Sequence, residues 1–243
     1  MGLTVHYQLH SDAVSPQAAR ALVAKLARRA RKLPFERTHP VESFPAKSAD
    51  CEAADYEAID RGEDSLWLCT AARIERRRKH YDVRPRHGFA FFVVPGPGSE
   101  WAALGLVKHP QSIALPGGRR ARTGLAGWSW SGFCKTQYAS NPRYGGFENF
   151  RRCHVSLIEL LDFAREIGLQ VDVQDEGEYA ALRDTGALRE EVSRWNEFVA
   201  ATVGRFRDAL AGESDAPIAS FPNFEHLEAN GGEKRRTRLR RAP

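Results

Sequence analysis

Apolar and polar residues alternate strictly at the start of the chain. Leu3, Val5, Tyr7 and Leu9 fall on one face of an extended segment, and Thr4, His6, Gln8 and His10 on the other. A period of two predicts a half-buried strand. The period then changes. Ser15 followed by Pro16 has the cap and first-turn chemistry of a helix start. Ala18, Leu22, Val23, Leu26, Ala30 and Leu33 recur at helical spacing until Pro34, which cannot continue a helix. A second strand is expected over Glu36 to Phe44, so residues 1–44 read as a β-α-β unit.

The middle of the chain is richer in strands. Leu66 to Ile74 reads as a strand or short helix, and Arg73 to Arg86 as a basic connection. Phe89, Phe91, Phe92, Val93 and Val94 form a near-continuous apolar run, as in a central strand covered on both faces. Trp101 to Val107 is a further short element, and Pro116 to Gly124 a Gly/Arg-rich loop. Gly127 to Ser140 reads as a strand, with Trp128, Trp130, Cys134 and Tyr138 opposite Ser129, Ser131, Lys135 and Gln137. A helix is expected over Phe147 to Ile167, ended by Gly168, then a strand over Leu169 to Gln174. A last helix starts at Asp184 or Thr185. Its apolar stripe includes Leu188, Val192, Trp195, Val199, Val203 and Phe206. Phe221, Phe224 and Leu227 are placed to dock back on the core.

These elements predict an α+β fold: a mixed sheet with helices packed mainly on one face. A pseudo-repeat of two β-α-β halves, 1–44 and 127–174, is part of that expectation. A single domain is expected over 1–228, followed by a disordered basic tail over 229–243.

Charge changes the picture less than the pI of about 9.2 suggests. From Ala229 onward six Lys and Arg residues stand against Glu233, an excess equal to the +5 of the whole chain. Global basicity therefore says nothing about the core. No apolar run approaches the ~20 residues of a membrane helix, and no leader pattern precedes the first strand. A cytoplasmic protein is expected. Cys51, Cys69, Cys134 and Cys153 form no close pair and read as free thiols.

Five constellations could carry chemistry. In the first, Arg143 precedes Gly145 and Gly146 at a helix start, where free N–H groups and the helix dipole favour an anion. Lys135 and Gln137 would add contacts to a nucleotide, phosphate or carboxylate. The plainer reading is an ordinary turn. In the second, His6 and His10 share the polar face of the first strand and are candidate proton carriers. They lie roughly 13 Å apart, too far to hold one metal together. In the third, Asp175 and Glu176, near Asp172 and Glu178, follow a strand and could ligate a metal or orient a substrate. In the fourth, His154 lies on the apolar side of its helix, as a buried histidine or a catalyst. In the fifth, Arg76, Arg77, Arg78 and Lys79 offer phosphate contacts to nucleic acid; the alternative is internal charge pairing with the acidic segment Asp50 to Asp64.

The reading that follows is a protein binding a small anionic ligand, whose reaction type, if it catalyses one, no motif specifies. The alternatives are a nucleic-acid-associated accessory protein using its basic segments and tail, and a protein-interaction module with a contact patch around Trp128 and Trp130.

Overall fold

The computed structural model describes residues 2–44, 72–76, 78–115, 118–210 and 215–240 of the chain. The alternating start forms β1, Thr4–Ser11, with Leu3, Val5, Tyr7 and Leu9 buried. Ser15 caps α1, Pro16–Ala30, its Oγ accepting the Ala18 N–H at 3.1 Å. The extended stretch after α1 is interrupted at Pro40, which has no N–H to donate to a ladder. It forms two short strands, β2 (Arg37–Thr38) and β3 (Glu42–Phe44), both antiparallel to β6 (His87–Val94).

The basic connection is a hairpin, β4 (Ala72–Arg76) with β5 (Lys79–Val83), and the Gly/Arg-rich loop contains a second, β8 (Ser112–Ala114) with β9 (Arg120–Arg122). Between them, β6 pairs with β7, Ala102–Lys108. Strand β10, Trp128–Lys135, stops earlier than the sequence suggests. The chain then turns through 3-10 segments Gln137–Ser140 and Pro142–Tyr144 into α2, Gly146–Glu166, and on to β11, Gln170–Asp175. A short α3, Tyr179–Leu182, precedes the long α4, Thr185–Leu210, whose first turn is capped by Asp184 Oδ1 accepting from Gly186 and Ala187. The last helix, α5, runs Phe224–Arg240. Residues 229–240 thus continue a helix where a disordered tail is expected from composition; Ile218, Phe221, Phe224 and Leu227 bury against α4 and anchor its start.

The sheet order is β11-β1-β10-β7-β6-β2, with β3 also on β6, and every pairing among the described residues is antiparallel. The fold is α+β, as expected, with a sheet that is antiparallel where a mixed one is expected. Both helix crossovers exist, but neither joins neighbours. β10-α2-β11 closes around β1, which sits between its two strands as in a split β-α-β unit. β1-α1-β2 crosses to the far side of the sheet, so the two halves are not equivalent.

Helices α1 and α2 lie on one face, as expected. Val23 and Leu26 of α1 and Leu157, Ile158 and Leu161 of α2 share one core with Val5, Leu9, Leu104 and Trp130. Each such side chain contributes about 2 kcal/mol by leaving water. Trp128 and Trp130 are both buried in this core, which corrects the expectation of an exposed aromatic patch there. The opposite face carries His6, Gln8, Ser131, Phe133, Asp172 and Gln174, all exposed. No helix among the described residues is long and apolar enough to cross a membrane.

Candidate functional site

The sheet has a gap in it. Strands β10 and β7 are paired directly only at Ser129 and Val107 among the described residues. They are fastened again at the other end, where Glu100 N–H donates to Lys135 O at 2.9 Å and Glu100 Oε2 accepts the Lys135 N–H at 3.2 Å. Between those points the ladder is replaced by side chains. Tyr7 Oη and Trp130 Nε1, from the helix-covered side, both donate to Ala103 O, at 2.7 and 2.8 Å. A carbonyl oxygen has two lone pairs, so one acceptor serves two buried aromatic donors. Tyr7 can reach Ala103 because Gly132 lies opposite it in β10; a Cβ there would stand 2.7 Å from the Tyr7 ring.

Above this gap the exposed face forms a groove of about 680 Å³, whose lining includes His6, Gln8, Glu100, Trp101, Phe133, Asp172 and Gln174. His6 and Phe133 are cross-strand partners with ring centroids 6.0 Å apart. Phe133 is 55% exposed and Trp101 46%. Large rings on a wet surface offer stacking area. The amides of Gln8 and Gln174 and the carboxylate of Asp172 come from positions beside them. Beside the imidazole of His6, the ionisable residues lining the groove are the acids Glu100 and Asp172.

His154 and Asp175 meet in the interior instead. His154 Nδ1 is 2.9 Å from Thr136 Oγ1, and its Nε2 is 3.1 Å from Asp175 Oδ1, close but not aligned as a hydrogen bond. Thr136 and His154 are 0% exposed and the Asp175 side chain 2%. Burial alone pushes the Asp175 carboxyl up. The neighbouring imidazole and the N–H groups of Ala180 and Gly177 outweigh it and hold the carboxyl below its ordinary value. The order hydroxyl, imidazole, carboxylate is that of a nucleophilic triad, but a sealed triad presents its hydroxyl to no substrate. Its work is to tie β10, α2 and β11 together.

Other sequence-predicted residues are similarly committed. Gln137 is buried: its Oε1 accepts the Leu3 N–H at 3.1 Å and its Nε2 donates to Asn196 Oδ1 at 3.0 Å. Asn196 Nδ2 donates in turn to Ser140 Oγ at 2.9 Å. Gly145 and Gly146 have φ of 101° and 63°, the left-handed region that favours glycine. Their N–H groups already donate to Pro142 O and Asn141 O. Glu148 occupies the first turn of α2, salt-bridged to Arg151 and Arg189. Arg143 is exposed on the turn, and Lys135 lies with its Nζ 4.7 Å from the Tyr138 ring. These residues form a turn and a buried amide chain rather than one pocket.

Asp175 and Glu176 also do different work from metal ligation. Both Asp175 oxygens are engaged, and Glu176 Oε2 accepts the Thr4 N–H at 2.9 Å. Among the described residues no group of three or more His, Cys, Asp or Glu could hold a metal ion. His10 contacts Asp12 at 3.2 Å and packs against Gly127, away from the groove. Arg76 and Lys79 lie on the β4-β5 hairpin with Arg78 at its turn; Arg77 lies outside the described residues.

Comparison with protein families, curated proteins and solved structures returned no match. Phe133, Trp101, Glu100 and Gln174 are groove residues that sequence reasoning missed. Phe133 had a visible signal, since it is the one large apolar residue on an otherwise polar strand face.

Proposed function

We propose that the protein binds a small, planar, polar molecule in the groove over the β10/β7 gap. The ligand class is a heteroaromatic ring, neutral or cationic, with donor and acceptor groups on its edge. The observation that carries this reading is that the His6–Phe133 pair and Trp101 line one groove over the sparsely paired strands β10 and β7, with Gln8, Gln174 and Asp172 alongside. Phe133 and Trp101 supply faces for stacking. The amides supply one donor and one acceptor group each. Glu100 and Asp172 disfavour an anion, which moves the ligand away from the phosphate or carboxylate expected from sequence. His6 is the one imidazole in the lining and is the proton carrier if the bound molecule reacts.

The test is a thermal-shift and fluorescence titration against nucleosides, aromatic amidines, nucleotides and inorganic phosphate. A ligand well above its Kd raises the melting temperature by mass action. Nucleosides or amidines should stabilise the protein more than the corresponding phosphorylated compounds. Phe133→Ala should remove the shift, and Asp172→Asn should weaken cationic ligands about tenfold. Tight phosphate binding, or an unchanged shift in Phe133→Ala, overturns the assignment.

A further inference from the structure

Positive charge is concentrated at one end of the sheet. His87 begins β6, Lys108 ends β7, and the two are registered partners. The chain enters β6 from the β4-β5 hairpin and leaves β7 into the β8-β9 hairpin, so both ribbons emerge from the same end of neighbouring strands. Neither packs broadly on another element among the described residues. Arg76 joins them, its guanidinium donating to Arg122 O at 2.6 Å and Thr123 O at 3.4 Å.

Across residues 72–86 and 108–122, leaving Arg77 aside, ten Lys and Arg stand against Glu75 and Asp82, an excess of +8 in a chain whose net charge is +5. Asp82 is already paired with Arg73 at 3.0 Å. The acidic segment Asp50 to Asp64 lies outside the described residues. Arg76, Arg78, Lys79, Arg119, Arg120 and Arg122 are all exposed. Arg78 holds the hairpin turn at φ 63°, where glycine or asparagine costs less.

We propose that these two ribbons dock on double-stranded nucleic acid through its phosphates. Charge complementarity carries the choice of a polyanion: duplex DNA has one negative charge per ~1.7 Å of axis. A two-stranded ribbon also fits a major groove about 12 Å wide. Each β4-β5 strand has five residues and spans roughly 16 Å, enough to follow several phosphates. Single-strand binders add aromatic platforms on which bases stack. The ribbons carry no Phe or Trp, and their one tyrosine, Tyr81, is half-buried. Binding through phosphates alone positions the duplex without reading sequence.

The experiment measures binding of the full chain to a labelled random-sequence DNA duplex and to the matching single strand over a range of salt. The duplex should bind at least as tightly as the single strand, with affinity falling steeply as salt rises. Arg78→Gly, Lys79→Gln and Arg119→Gln together remove three cations without removing the Arg76 bridge. This variant should bind the duplex on the order of tenfold to a hundredfold more weakly, and its log–log salt slope should be shallower by about 0.9 for each phosphate no longer neutralised. Its melting temperature should match the wild type, showing that the fold is intact. An unchanged affinity and slope overturns the proposal. So does clear preference for the single strand. So does loss of binding on changing Arg235, Arg236 and Arg238 to Gln while the ribbon variant binds normally.

Discussion

His154 Nε2 lies 3.1 Å from Asp175 Oδ1 with both side chains sealed from solvent, joining the middle of α2 to the end of β11. Replacing the carboxylate by an amide removes its charge beside the buried imidazole and exchanges one of its two oxygens, which accept from Gly177 and Ala180, for an NH2 donor. Asp175→Asn should therefore cost about 3 kcal/mol at neutral pH. The Asp175 carboxyl is held below its ordinary value in the folded protein, behind an opposing push from burial. Its stabilisation is complete above the unfolded carboxyl value of about 3.9 and is lost as pH falls through the lower folded value. Urea unfolding of both proteins should show their difference shrinking in that acid window. An equal difference at every pH would mean that packing, not charge, carries the pair.

The buried amide chain from Leu3 through Gln137 to Asn196 and Ser140 links the start of β1 to α4. Gln137→Leu strands the Leu3 N–H and the Asn196 side chain, and should destabilise by about 2 kcal/mol. The second substitution Asn196→Leu should then cost less than it does alone, because its partner is already gone. Additive losses in a double-mutant cycle would show that the two amides act separately.

The elements with the strongest local grammar are legible in the sequence. Ser15 and Pro16 start α1, Gly168 ends α2, and the alternation of Leu3, Val5, Tyr7 and Leu9 marks the buried face of β1. The adjacency of β1 and β10, which sets the groove, follows from tertiary pairing that no local pattern records. The early end of β10 has a related cause. Gln137 fits an alternating strand, but its side chain is needed by Leu3 N–H and Asn196, from distant parts of the chain, and the backbone turns to deliver it. Spacing alone puts His154 on the apolar side of its helix, while its partners Thr136 and Asp175 lie 18 and 21 positions away by the numbering.

Gly132→Ala tests whether the gap in the sheet depends on Tyr7. A Cβ would press on the Tyr7 ring, so the variant should lose about 1–3 kcal/mol by overpacking. Tyr7→Phe should lose only about 1 kcal/mol, because Trp130 Nε1 still serves Ala103 O. Thermal unfolding of the two variants ranks them. A milder effect of Gly132→Ala would show that the ring moves aside freely.

Thiol labelling tests the interior. Burial raises the Cys134 thiol above the usual range, with Glu100 adding to it, and pushes Cys153 up to about 11. With Cys51 and Cys69 changed to Ser, neither remaining thiol should react with iodoacetamide at neutral pH on the timescale of an exposed cysteine. Both should react quickly in denaturant. Fast labelling of the folded protein would contradict the packing of β10 on α2.

The place of β1 bears on how the chain is made. Val5 pairs with Cys134 on one side and Asp175 on the other. A ribosome releases the first strand long before either neighbour exists. During synthesis that apolar edge has to wait, exposed or shielded by a chaperone, until Asp175, 170 positions after Val5, has emerged. Moving the first eleven residues to the C-terminus by circular permutation would end that wait. The permuted protein should gain more in yield at high expression rates than in equilibrium stability.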